Sequence, residues 1–174
     1  LMSWLPRFLV DGRGRSMDIS CYIFAGGGAG IWSSSLCTGW LVGKYFFGRE
    51  PQVILVCAAV SAAAILALFY TTTALAAGVL LFIGEVFLMA TFVTAFTLPM
   101  KRLPENIMGA AMGFINTGGT LGGFVSPIVI GFLLGQGGGY QSTFIFLALA
   151  MLCAGLAILP LMRQKAAPSV PAID

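Results

Sequence analysis

Long, nearly uncharged apolar stretches are the feature that most limits how this chain can fold. Charged residues divide the sequence into five such stretches, at 19–42, 51–70, 74–98, 106–135 and 141–162. A helix needs about 20 mostly apolar residues to cross the hydrocarbon core of a bilayer. The apolar segment at 1–10 is typical of the end of a further helix, so we expect the chain to continue upstream of Leu1. The sequence therefore predicts an all-α membrane protein with five complete transmembrane helices after the remnant of another.

The composition supports a membrane protein and excludes several other classes. Apolar residues make up 59% of the chain and charged residues 9%, against about 45–50% and 25% in soluble domains. The net charge of +3 is small, and no basic face carries interleaved aromatic residues, so a nucleic-acid partner has no support. Histidine is absent and the four cysteines lie far apart, so we predict no metal site, no cofactor and no triad-type hydrolase.

Basic residues predict the orientation in a plasma or inner membrane. They occur in the loops after the first and third stretches (Lys44 and Arg49, Lys101 and Arg102) and in the C-terminal tail, but not in the loops after the second and fourth. Because Lys and Arg favour the cytoplasmic side, these loops and the C-terminus are expected to be cytoplasmic. The basic residues between 7 and 15 would then be external, against the same rule. We predict a helical bundle at 1–163 and a disordered tail at 164–174.

Glycine and small polar residues are unevenly distributed among the five stretches. They are concentrated in 19–42, 74–98 and 106–135, whereas 51–70 has no glycine and 141–162 has one. In lipid, close helix packing depends on small residues and hydrogen bonds. We therefore expect the three glycine-rich stretches to be interior and the other two to be peripheral.

The segment 109–135 has the most informative pattern. At 100° per residue its small and polar residues fall on one narrow stripe, namely Gly109, Gly113, Asn116, Thr120, Gly123 and Pro127. Gly119 adds a small-xxx-small pair with Gly123, which lets a neighbouring backbone approach, and Pro127 favours a kink. From the glycines alone, simple helix packing without a transport role explains the stripe equally well.

Two segments resemble the major facilitator superfamily. Segment 109–135 is similar to the eleventh helix of that family, in which the pattern N-x-x-G-x-L-G-G-F-x-x-P is followed by a further glycine. The matching residues in this chain are Asn116, Gly119, Leu121, Gly122, Gly123, Phe124, Pro127 and Gly131. Segment 39–49 resembles its cytoplasmic loop motif, G-x-L-a-D-r-x-G-r, at Gly39, Leu41, Lys44, Gly48 and Arg49 if one residue is inserted. Gly43 replaces the acid that helps latch the two halves in that family. A third and much shorter segment, residues 4–6 (Trp-Leu-Pro), resembles the outer end of the seventh helix in the anion:cation symporter branch of this family.

The resemblance implies a function as well as a fold. It implies the C-terminal six-helix half of a secondary transporter, whose missing N-terminal half is its main partner besides lipid and whose halves alternate around a central site. The expected substrate is a small polar metabolite, such as an organic anion or a sugar acid, carried together with a proton. The alternative is a membrane scaffold or assembly subunit. A membrane enzyme is disfavoured, because one intramembrane acid and no histidine leave little for acid–base chemistry.

Five residues are candidates for contact with the substrate or the coupling ion. Glu85 is the only ionisable residue deep within a stretch, where a charge costs about 2.5 kcal/mol or more, and we expect it to bind a proton or pair with a cation of the missing half. A neutral, hydrogen-bonded structural carboxyl is the alternative. The other candidates are Asn116, Trp32, Ser34 and Thr120. Serine and threonine in membrane helices often bond only their own backbone, which is the alternative for Ser34.

Overall fold

The chain is helical throughout the part that the structure describes. This computed structural model describes residues 17–46, 49–135 and 139–163, and this part contains no strand. Its helices are α1 (Met17–Tyr45), α2 (Glu50–Tyr70), α3 (Ala74–Arg102), α4 (Glu105–Gly135), α5 (Gly139–Leu156) and α6 (Leu159–Arg163). The predicted all-α membrane fold is confirmed. The predicted helix remnant at 1–10 and the tail at 164–174 lie outside the described residues.

Four of the described helices, α2 to α5, are long and apolar enough to cross a membrane. The helix α1 has 29 residues and is therefore about 44 Å long, which exceeds the roughly 30 Å of a hydrocarbon core. Its run of glycines and serines makes it less apolar than the other four. It corresponds to the predicted stretch 19–42, which also has the lowest hydropathy of the five.

The last predicted stretch, 141–162, is not one continuous helix. The helix α5 ends at Leu156, a turn follows at 157–158, and α6 begins at Leu159. Proline has no N–H to donate, and its ring clashes with the carbonyl group four residues earlier in a helix. Pro160 stands four residues after Leu156, which accounts for the break.

The helix α3 is the centre of the described bundle. Both α1 and α2 pack along it, α2 also packs along α5, and α4 contacts α3 and α5 over only short lengths. A buried apolar cluster joins these helices; it contains Ile23, Ile65, Leu68, Ala77, Leu81, Ile130 and Phe144. The packing order is therefore α1, α3, α2, α5, with α4 held at few points.

The expectation that stretch 51–70 is peripheral was wrong for this bundle. In the most apolar 18-residue segment of α2, 44% of the residues are buried, against 6% in the corresponding segment of the glycine-rich α4. Small side chains other than glycine allow this packing, since Ala58, Ser61 and Ala62 of α2 are all buried. A Cβ added at Gly155 of α5 would lie 3.0 Å from the Ala58 Cβ atom. The close contact of α2 with α5 thus combines small residues on α2 with a single glycine on α5, whereas we had expected such packing in the three glycine-rich stretches.

Two hydroxyl groups connect the three central helices. The Ser34 hydroxyl of α1 donates to the Val86 carbonyl oxygen of α3 at 2.7 Å, and the Ser61 hydroxyl of α2 donates to the Gly84 carbonyl oxygen at 3.0 Å. Both bonds reach the backbone of α3 on either side of Glu85. Hydrogen bonds between helices help to hold the bundle together, because the hydrophobic effect does not drive helices together within lipid.

Candidate functional site

Glu85 lies at the contact between α3 and α1. Its side chain is 6% exposed, and a Cβ added at Gly27 of α1 would lie 3.7 Å from the Glu85 Cγ atom. The absence of a side chain at Gly27 therefore leaves room for the glutamate against the partner helix. A buried carboxyl group is costly unless it is neutral or partnered. The buried position agrees with either role predicted for Glu85, but the hydrogen bond expected of a structural carboxyl group is not found among the described residues, and the choice between the two roles stays a prediction.

Ser34 already uses its hydroxyl group within the bundle. The residue is 4% exposed and donates to the Val86 carbonyl oxygen, while its Oγ atom lies 3.1 Å from the Thr38 Oγ1 atom. The neighbouring Ser33 and Ser35 donate to the carbonyl oxygens of Ala29 and Ile31, four residues earlier. The arrangement favours the packing explanation for the serine cluster. A substrate contact by Ser34 would require its bond to α3 to open.

The stripe on α4 is an uncovered surface in the described bundle. Asn116 and Thr120 are exposed, and the Thr120 hydroxyl donates to the Asn116 carbonyl oxygen at 2.9 Å. A Cβ added at the stripe glycines Gly109, Gly113 and Gly123, or at the adjacent Gly119, would meet no atom within 4 Å. Pro127 is exposed within the same helix. No described helix makes the close approach that these glycines predict, so their packing role stays a prediction.

Trp32 lies on an exposed face of α1, with 76% of its surface accessible. The five candidate residues therefore occupy three places. Glu85 and Ser34 lie at the contact of α1 with α3, Asn116 and Thr120 lie on α4, and Trp32 faces outward from α1.

The predicted loop motif is partly helical. The helix α1 continues to Tyr45, so Gly39 and Lys44 lie in its last turns rather than in a loop. The Lys44 ammonium lies 4.8 Å from the centre of the Trp40 ring, a cation–π contact that helps to hold this end of the helix. Arg49 is exposed immediately before α2, and Gly48 lies outside the described residues.

One ion pair at this end of the bundle was missed by the sequence analysis. The Lys101 ammonium near the end of α3 lies 3.1 Å from the Glu50 Oε1 atom at the start of α2. The side chains are 24% and 4% exposed, respectively. The ion pair could have been predicted from the sequence. Consecutive membrane helices run antiparallel, which brings the end of stretch 74–98 beside the start of stretch 51–70.

Comparison with known proteins identifies the family. The model of the Major Facilitator Superfamily matches residues 1–127. The chain belongs to this superfamily. It is also similar to the "Probable sulfoacetate transporter SauU" of Cupriavidus necator, at 28% identity over 151 residues, covering 82% of this chain and 34% of the relative. No solved structure matches significantly.

Membership in the major facilitator superfamily confirms the resemblance predicted from segments 39–49 and 109–135. Together with the apolar helices it shows a multi-pass membrane protein. It also points to transport rather than catalysis, against the membrane-enzyme alternative. The chain spans about a third of the length of the curated relative that it matches.

Proposed function

We propose that this chain is the C-terminal half of a secondary active transporter that carries a small organic anion together with a proton. The observation that supports this most directly is the uncovered polar stripe of α4 in a member of a transporter superfamily. A transporter in which two helical halves rock against each other around a site near the membrane midplane would explain both the uncovered stripe and the family membership.

The stripe on α4 needs a protein partner. Lipid offers no hydrogen bonds, so an exposed Asn116 amide in the hydrocarbon region would lose its partners at a cost of about 1–3 kcal/mol or more. The α4 glycines offer a flat surface that a second helical bundle could approach. We infer that an N-terminal bundle covers this face and that substrate binds between the two bundles.

The proposed substrate class follows from the relative. That protein is named for sulfoacetate, a small organic anion, and the resemblance to the anion:cation symporter branch agrees with such a substrate. None of the five predicted stretches of this chain contains Lys or Arg. The positive charge that an anion requires is therefore proposed to come from the N-terminal half.

Glu85 is the proposed site of proton coupling. It is the only residue among Asp, Glu, Lys and Arg within the predicted stretches, and it lies in α3, which packs against both α1 and α2. Protonation of a buried carboxyl group removes the cost of a charge in a low-dielectric site. In this proposal a change in its protonation state alters the α1–α3 contact during the transport cycle. The basic loops and the C-terminus are proposed to be cytoplasmic.

The proposed interface is tested with a matched pair of glycine variants. Both Gly123 on α4 and Gly78 on α3 have open space where a Cβ would be. In cells that express the complete gene, Gly123→Leu is expected to reduce uptake of labelled sulfoacetate and related anions at least tenfold. Gly78→Leu should retain most uptake at equal membrane abundance. Equal uptake by both variants would contradict the proposed interface, and no uptake by the unaltered protein would favour the scaffold alternative.

The coupling role is tested separately with Glu85→Gln, which keeps the size of the side chain but cannot ionise. Glu105→Gln, a change of an exposed acid at the start of α4, is the control. In proteoliposomes an imposed pH gradient should no longer drive accumulation by Glu85→Gln, whereas exchange of substrate for substrate should continue. If the pH gradient still drives accumulation, Glu85 is structural.

A further inference from the structure

A groove of about 670 Å³ opens between α1 and α2, and α3 also contributes to its lining. The helices α1 and α2 each pack along α3 but contact each other far less. The lining is formed mainly by apolar side chains, among them Leu41 of α1, Val53 and Val56 of α2, and Phe87 of α3. Its size is within the range of about 300–1,000 Å³ of pockets that hold small ligands.

The groove does not suit the small polar substrate of a transporter. Of the candidate residues, only Ser34 is in its lining, and the Ser34 hydroxyl is already bonded to the Val86 carbonyl oxygen. Thr38, another polar residue of the lining, lies within hydrogen-bond distance of Ser34. An apolar ligand would leave these bonds intact, whereas a polar ligand would find free polar groups mainly at one end of the groove, where Arg49 and Gln52 are exposed.

The length of the groove corresponds to one leaflet of a bilayer. Along α1 the lining runs from Ser33 to Val42 and continues beyond the helix to Phe46 and Arg49. The helical part from Ser33 to Tyr45 is about 18 Å long at 1.5 Å per residue. One leaflet has about 15 Å of hydrocarbon, half of the usual core thickness. The groove therefore extends from near the membrane midplane to one end of the bundle.

Positive charge is found at that end of the groove. Arg49 is exposed, belongs to the lining and stands in the connection between α1 and α2. Glu50, the adjacent acid, is buried and paired with Lys101 at 3.1 Å, so its charge is already balanced. Lys44 is exposed at the same end, above the Trp40 ring. A basic residue near the membrane surface attracts anionic lipid by about 1 kcal/mol.

We propose that the groove binds an anionic phospholipid, with one acyl chain between α1 and α2 and the phosphate at Arg49. An anionic phospholipid requires an apolar groove for its acyl chain and a cation for its phosphate, and this site offers both. Such a lipid occupies one leaflet, which matches the length of the groove. The lipid would join α1 to α2, which otherwise are connected mainly through α3. Such a site is separate from the face of α4 proposed to contact the N-terminal half.

The test uses native mass spectrometry of the protein purified from its complete gene, with phosphatidylglycerol and phosphatidylcholine of identical acyl chains as probes. The unaltered protein should bind one phosphatidylglycerol at least tenfold more tightly than phosphatidylcholine. Arg49→Gln should remove this preference, whereas the control Arg102→Gln, at the same end of the bundle, should keep it. Val56→Trp should block the groove and abolish binding of both lipids.

A matched control for the groove is Val79→Trp, because Val79 is exposed to a similar extent as Val56, at 50% against 58%, and is not part of the lining. Val79→Trp should bind lipid normally. The proposal is overturned if Val56→Trp binds phosphatidylglycerol as well as Val79→Trp does, or if Arg49→Gln keeps the preference. It is also overturned if Val56→Trp instead dissociates a dimer, since a second copy of the chain would then occupy the groove.

Discussion

Replacement of Gly30 by alanine tests the packing of α1 on α3. A Cβ at this position would lie 3.0 Å from the Phe82 carbonyl oxygen, 3.3 Å from the Phe82 Cδ2 atom and 3.4 Å from the Val86 Cγ2 atom. A backbone carbonyl group cannot rotate away as a side chain can, so the two helices must separate by a few tenths of an ångström. We therefore expect Gly30→Ala to destabilise the protein.

The magnitude follows from a comparison with Gly28→Ala two residues away. A Cβ at Gly28 meets nothing within 4 Å, so this variant gains only helix propensity, up to about 1 kcal/mol. Gly30→Ala gains the same propensity but also pays for overpacking, typically about 1–3 kcal/mol. Because the propensity terms cancel, Gly30→Ala should be less stable than Gly28→Ala by about 1–3 kcal/mol.

Thermal unfolding of the purified variants in one detergent measures this difference. For chains of 150–250 residues, 1 kcal/mol corresponds to a change in Tm of about 2–4 °C, so a difference of 2 kcal/mol gives roughly 4–8 °C. Gly27→Ala should be intermediate, because its Cβ would meet the flexible end of Leu81 at 3.0 Å. A Gly30→Ala protein as stable as Gly28→Ala would refute the described α1–α3 contact.

Three further variants test individual polar groups by the same unfolding measurement. Lys101→Met removes the ammonium group from the buried Glu50 carboxylate and should lower the free energy of unfolding by about 1–3 kcal/mol. The double variant Glu50→Gln/Lys101→Met should recover part of this loss. Thr143→Val should be neutral or stabilise by up to about 1 kcal/mol, since the fully buried Thr143 hydroxyl has no partner among the described residues; clear destabilisation would show that it has one. Ser61→Ala should cost about 0.6 kcal/mol, the average for hydrogen bonds between membrane helices, because its hydroxyl donates to the Gly84 carbonyl oxygen; an unchanged Tm would show that this bond contributes nothing.

The positions of the helices were predictable from sequence because hydropathy and charge are local properties. Predicted stretch 74–98 corresponds to α3 at Ala74–Arg102, and stretch 106–135 to α4 at Glu105–Gly135. The end of α5 at Leu156 was also predictable, since Pro160 cannot donate to the carbonyl group of that residue. We missed it because hydropathy alone does not detect a break in an apolar helix.

The surroundings of the candidate residues were less predictable. Which side of a helix is covered depends on its neighbours, so the alanines of α2 gave no sign that this helix would be buried between α3 and α5. The bond from Ser34 to the Val86 carbonyl oxygen likewise joins residues 52 positions apart, which no local pattern reveals. Glu85 stood out in the sequence because an intramembrane acid is rare, but its placement against Gly27 required the structure.

The sparse contacts of α4 have a consequence for biosynthesis. While the chain is being inserted, α1, α2 and α3 can pack as soon as all three are in the bilayer, and α5 can then join through α2. The helix α4 makes few contacts in this order and stays accessible within the lipid, unless the proposed N-terminal bundle covers it. In a cell that lacks the proposed N-terminal half, α4 would therefore be the segment by which membrane proteases and chaperones recognise the chain.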